Sequence, residues 1–210
     1  TMACAIVAQK CNTKVAHVEA GIRSLDWRMP EEINRLVTDS ITNYFFTTSK
    51  NANMHLEKSG IEKERVFFVG NTMIDTLLKQ KPNFIQPKFW NNLNLKKRNY
   101  IVITLHRPAN VDQENKLKKF INEIIVNSDN KQIIFPMHPR TASIFRRLKI
   151  HHPRLHILPP LSYLEFNYLV DNSLVVVTDS GGITEETTVM GVPCMTLRDN
   201  TERPETITEG

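Results

Sequence analysis

The chain has 210 residues, of which 40% are hydrophobic and 23% charged, and it carries a formal net charge of +5. That apolar content can build one large domain or two small ones. Basic residues are scattered, and no stretch approaches the ~20 consecutive apolar residues of a membrane span, so no nucleic-acid tail or membrane segment is expected. Cys4, Cys11 and Cys194 lack the spacing of a disulfide framework or zinc site. Their pattern points to a reducing, cytoplasmic setting.

The elements then follow in order. Residues 2–9 read as helix, and KVAHVEAG (14–21) as a short strand running into a glycine. EEINRLVTDSITN (31–43) puts Ile33, Leu36, Val37, Ser40 and Ile41 at helical spacing, with acids in the first turn where the helix dipole favours them. YFFTTS (44–49) is a strand, and SKNANMHLEKSG (49–60) a helix with a Ser cap and a Gly stop. RVFFVG (65–70) and NTMIDTLLKQ (71–80) repeat the strand–helix pair.

Residues 81–98, KPNFIQPKFWNNLNLKKR, break the rhythm and read as a linker. A second alternating run begins at NYIVITLHR (99–107). Helix 113–127 carries Leu117, Phe120, Ile121, Ile124 and Ile125 on one face. Strands 132–137, 155–158, 174–178 and 193–197 alternate with helices 141–149, 162–171 and 183–190. The opening reads as the interior of a larger fold and TERPETITEG closes without a terminal element, so both ends are expected to be cut.

Strands alternating with amphipathic helices imply parallel sheets covered on both faces. The expected fold is α/β, with two Rossmann-like domains facing across a cleft: 1–80 as the C-terminal part of the first, 81–98 as linker, 99–210 as the second. Ligands in such folds bind beyond the carboxyl ends of the strands.

Four stretches fall there: 17–35, 104–112, 136–141 and 178–186. In the last, TDSGGITEE, a strand runs through Ser180, Gly181 and Gly182 into a helix. Backbone N–H groups there suit a phosphate, with an ordinary tight turn as the alternative. Glu185 and Glu186 would repel phosphate, so one of them suits the vicinal hydroxyls of a ribose; complementing the helix dipole is the competing explanation. In the first stretch Glu19 ends a strand while Glu31 and Glu32 open a helix. Carboxylates around one cleft permit separate proton removal and delivery. The alternatives are dipole complementation for Glu31 and Glu32, and a salt bridge from Glu19 to Arg23 or Arg35. His106 and His138, each past a strand with an arginine nearby, suit an anionic leaving group. His55, His151, His152 and His156 read as surface residues.

Taken together, HVEAGIRS, MPEEINR, VGNTMIDTLL, TLHRPANV, PMHPRT, DSGGITEE and LRDNTERPE stand in an order that resembles the non-hydrolysing UDP-N-acetylglucosamine 2-epimerases over essentially the whole chain. The resemblance implies a GT-B fold that interconverts UDP-N-acetylglucosamine and UDP-N-acetylmannosamine, for surface polysaccharide precursors, without metal or redox cofactor. It also implies a mechanism: UDP is eliminated across C1–C2 to give 2-acetamidoglucal, then added back with the proton on the opposite face. Carried over by position, Glu19, Glu31 and His106 are catalytic. Arg35, Arg107, His138, Ser180, Gly181, Gly182 and Glu186 bind substrate.

The family pattern also includes an aspartate in a Gly-Asp-Thr motif before this region, so the chain by itself is expected to turn over little. The complete protein is expected to be a homodimer. Two other readings remain open: a GT-B glycosyltransferase, and a non-catalytic UDP-sugar-binding remnant.

Overall fold

The computed structural model describes residues 1–198, 201, 203 and 205–208. They form two compact units, 1–75 with the described residues of 201–208, and 76–198.

In the first unit, α1 (Met2–Lys10) precedes β1 (Ala16–Val18), α2 (Pro30–Ser40), β2 (Tyr44–Thr47), α3 (Lys50–Lys58) and β3 (Val66–Phe68), and α4 (Thr72–Gln80) begins. The strands pair in parallel in the order β1-β2-β3, with Ala16 opposite Tyr44 and Phe45 opposite Val66. Parallel neighbours need a crossover, and the helices between them supply it. A small core of Ala20, Phe45 and Leu56 lies between sheet and helices. α3 starts where the Ser49 side chain accepts from the Ala52 amide, as the sequence signal requires.

The second unit contains α5 (Phe89–Asn92), β4 (Tyr100–Thr104), α6 (Pro108–Val111), α7 (Glu114–Val126), β5 (Gln132–Pro136), α8 (Pro139–Leu148), β6 (Leu155–Leu158), α9 (Tyr163–Asp171), β7 (Val175–Thr178), α10 (Gly181–Met190) and β8 (Cys194–Thr196). Its five parallel strands run in the order β6-β5-β4-β7-β8. The central β4 buries Tyr100 through Ile103 without alternation, as expected of a strand covered on both faces. Leu117, Ile121 and Ile125 of α7 sink into the core beside it. The chain first winds outward from β4 through β5 and β6, then returns to place β7 on the other side of β4. That reversal is the topological switch point where open α/β sheets bind ligands.

Two expectations are revised. Segment 81–98 is not a free linker but part of the second unit. Trp90 is buried there, edge-on to Tyr100 at 5.3 Å and to Tyr168 at 5.4 Å between ring centroids. Lys81 pairs with Asp171, and the Arg98 amide donates to the Asn172 carbonyl. One aromatic anchor with local turns gives no periodicity, so the sequence pattern misses it. The closing residues do form an element, α11 (Glu205–Thr208), and it groups with the first unit.

Trp90→Ala therefore should lower the stability of the second unit by about 3–5 kcal/mol, the cost of emptying a large buried aromatic site. Denaturant unfolding checks this; an unchanged midpoint would return 81–98 to the status of a linker.

Candidate active site

The first unit is organised by a buried carboxylate. Asp39, near the end of α2, is 4% exposed. Its Oδ1 accepts from His17 Nδ1 at 2.6 Å. Its Oδ2 accepts from Arg23 at 2.6 Å and from the Gly21 amide at 3.2 Å. On the other side of the same residue, the Gly21 carbonyl accepts from His55 Nδ1 at 3.0 Å. A carbonyl can only accept, so that nitrogen carries the hydrogen. His55 is thus a loop anchor, not a surface residue.

The stretch between β1 and α2 is held this firmly because its backbone is strained. Glu19 has φ +64°, a left-handed conformation that costs a non-glycine residue of order 1–3 kcal/mol unless its surroundings enforce it. Gly21 has φ +75°, and a Cβ there would lie 2.5 Å from the Ala52 carbonyl oxygen, so only glycine fits. With Gly21 fixed from both sides, Glu19 turns out of the strand and lines a cleft of about 320 Å³.

His17, Glu31, Asn34, Arg35 and Arg203 line the same cleft. Glu31 and Arg35 lie four apart on α2 and so share a face. The structure brings together all three residues of this unit expected to act on substrate. It also bears on the salt bridge considered for Glu19. Arg23 is committed to Asp39, and Arg35 lies 3.5 Å from Glu32, so neither provides the salt bridge considered for Glu19. Glu32 is the buried acid of the pair, 1% exposed; it accepts from the Ser24 amide and hydroxyl and from the Leu25 amide. Among the described residues the carboxylates of Glu19 and Glu31 have no hydrogen-bond or ion-pair partner. Glu32 and Asp39 take up the local donors, while Glu19 and Glu31 line the cleft, Glu31 standing in the first turn of α2 where it also complements the helix dipole.

The second unit repeats the principle. Asp179 follows β7 and is wholly buried. It accepts from the amides of His106 and Arg107, from Asn110 Nδ2, and from His106 Nδ1 at 2.8 Å. Burial opposes ionisation, but the bonds from His106, Arg107 and Asn110 outweigh it and hold the carboxyl below its ordinary range. The loops after β4 and β7 are thereby tied together at the switch point, with His106 exposed on the outside.

Ser180 caps α10, its hydroxyl accepting from the Ile183 amide and its own amide donating to Thr178 Oγ1. The expected anion turn is therefore narrower than the sequence suggests, because the Ser180 amide is used internally. Among the described residues the Gly181 and Gly182 amides have no acceptor, which leaves two donors at the positive end of the helix. Glu186 is 9% exposed and accepts from the Tyr163 hydroxyl at 3.1 Å. Burial and the Glu186 carboxylate push Tyr163 up to about 12. Arg107 begins α6, and His138 sits exposed between β5 and α8. No cluster of three or more potential metal ligands exists among the described residues.

His17, Asp39, Tyr163 and Asp179 were not among the sequence candidates. His17 and Asp179 lie inside HVEAG and DSGG, so the motifs contained them. Their roles follow from partners 22 and 73 residues away, which spacing does not reveal.

Burial raises the Glu186 carboxyl above its ordinary range, against the smaller opposing pull of the Tyr163 bond. As pH rises the unfolded chain loses this proton first, so the group costs the folded state stability from its ordinary pKa up through its raised one. Glu186→Gln has no proton to lose. Its melting temperature should exceed that of the wild type near pH 8, with the gain vanishing towards pH 4. A pH-independent difference would contradict the assignment.

The sequence model of the UDP-N-acetylglucosamine 2-epimerase family matches residues 1–210. The UDP-N-acetylglucosamine 2-epimerase of Methanocaldococcus jannaschii is 43% identical over 221 residues, covering 100% of this chain and 60% of that protein. The UDP-2,3-diacetamido-2,3-dideoxy-D-glucuronate 2-epimerase of Pseudomonas aeruginosa is 36% identical over 216 residues, covering 100% and 59%. The crystal structure of M. jannaschii UDP-GlcNAc 2-epimerase in complex with UDP-GlcNAc and UDP superimposes with a TM-score of 0.88 at 41% identity, covering 100% and 60%. The chain thus spans about 60% of the length of the curated relatives it matches.

Proposed function

Because the chain belongs to the UDP-N-acetylglucosamine 2-epimerase family, we propose that the complete protein to which it belongs interconverts UDP-N-acetylglucosamine and UDP-N-acetylmannosamine. The observation that carries this reading is the pair of unpartnered carboxylates, Glu19 and Glu31, on one cleft beside Arg35. A nucleotide-binding fold needs no such pair; inversion at a carbon does.

A hydrogen on C2 of the sugar is weakly acidic, and it leaves only with a close base and an activated leaving group. One carboxylate of the cleft takes that proton. The C2–H electrons form the C1=C2 bond as the C1–O bond to UDP breaks. Re-addition of UDP at C1, with a proton delivered to the opposite face of C2, completes the inversion. Separate acid and base groups make this possible.

The second unit carries groups suited to a diphosphate. The free Gly181 and Gly182 amides and the α10 dipole favour an anion. Asp179 holds Nδ1 of His106, so the other ring nitrogen is presented outward; Arg107 adds positive charge and His138 a further imidazole. Glu186, bonded to Tyr163, receives the ribose hydroxyls. No described helix is long and apolar enough to cross a membrane. The proposal includes a cytoplasmic homodimer that supplies precursors for surface polysaccharides.

Glu19→Gln, Glu31→Gln and His106→Ala should each reduce turnover of UDP-N-acetylglucosamine by about 10²–10⁴-fold, the usual cost of losing a positioned acid or base. Product analysis after incubation checks this. Near-normal rates in all three would reject the assignment. Turnover of UDP-2,3-diacetamido-2,3-dideoxy-D-glucuronate alone would move the protein towards the activity named for its P. aeruginosa relative.

A further inference from the structure

Inversion at a C–H centre by two carboxyl groups leaves them in the wrong states for another turnover in the same direction. The group that took the proton is neutral, and the one that gave it is charged. A proton must travel back before the next substrate reacts. Carboxyls are poor carriers at neutral pH, whereas an imidazole both takes and gives protons there.

His17 is the imidazole on the cleft. It stands two residues before Glu19, and the other charged groups on the cleft are Glu31, Arg35 and Arg203. Behind the ring lie Asp39 and its ion-pair partner Arg23. An ionised carboxylate only accepts, so His17 Nδ1 carries the hydrogen of the 2.6 Å bond to Asp39. In the neutral ring Nε2 then holds a lone pair, and among the described residues it has no hydrogen-bond partner. A histidine serving only as a structural pin has no need to border the cleft with its second nitrogen unused.

Resting on the epimerase reading, we propose that His17, held by Asp39, returns the proton between Glu19 and Glu31 after each turnover. The protonated carboxyl gives its proton to Nε2, and Asp39 balances the imidazolium that forms. Nε2 then releases the proton to the other carboxylate. One proton moves, no bond to carbon changes, and all groups end in their starting states.

His17→Asn keeps an N–H where Nδ1–H stood, and so keeps the Asp39 bond, but cannot carry a proton. In the variant, the first turnover, followed by rapid quench with protein in excess over UDP-N-acetylglucosamine, should stay within about threefold of wild type. Steady-state turnover should fall about 100-fold and recover in part with added imidazole. Unchanged steady-state turnover, or equal slowing of both phases with no response to imidazole, would overturn the proposal. Should the variant not fold, the wild-type protein provides the test through long-range ¹⁵N–¹H NMR. The neutral His17 ring is expected to be protonated at Nδ1, and protonation at Nε2 overturns the relay. All turnover is read on the complete protein, and a complete wild-type protein that leaves UDP-N-acetylglucosamine unchanged fails at the epimerase reading itself, before any variant is made.

Discussion

Each unit of this protein is organised around one aspartate almost closed to water. An ionised carboxyl taken out of water costs several kcal/mol, and only a full set of donors offsets it. Asp39 finds its donors in His17, Gly21 and Arg23, and Asp179 finds its own in His106, Arg107 and Asn110. In both cases the donors lie at the end of a parallel strand or in the segment that follows it: His17 in β1 with Gly21 and Arg23 beyond it, and His106 and Arg107 beyond β4 with Asn110 in α6. Satisfying the buried charge therefore fixes the segment from which the fold presents its reactive groups. Glu19 lies between two of the Asp39 donors, and His106 is itself a donor to Asp179.

This arrangement also sorts the acids. Around the first cleft, Asp39 and Glu32 are buried and fully used, while Glu19 and Glu31 are not. Arg23 is drawn inward to Asp39, while Arg35 lines the cleft with its guanidinium 3.5 Å from Glu32. Backbone strain at Glu19 is tolerated because Gly21 is clamped by Asp39 and His55 and pressed against Ala52. A strained residue held by over-determined neighbours is a common mark of a functional position.

Much of this was legible in the sequence, and the parts that were not share a cause. The uninterrupted apolar run of β4 and the face of α7 announce a doubly covered parallel sheet, and both form as expected. The carboxylates of 17–35 and the glycines of DSGG were visible as residue types beyond strand ends. What stayed hidden was which partner each group finds, near or far along the chain. Adjacent Glu31 and Glu32 look equivalent until Ser24 and Leu25 fold back onto the second of them. Ser180 resembles a free anion donor until Thr178 takes its amide. Trp90 sits in a stretch that reads as linker because its contacts, Tyr100 and Tyr168, are not local.

The central claim is that a cleft carboxyl removes a proton from carbon. Incubation of the complete protein with UDP-N-acetylglucosamine in D₂O, followed by ¹H NMR and mass analysis of the sugar, tests it most directly. The account predicts UDP-N-acetylmannosamine bearing one deuterium at C2, with the same label appearing in recovered substrate. Epimerised product that keeps its original hydrogen at C2 would contradict it.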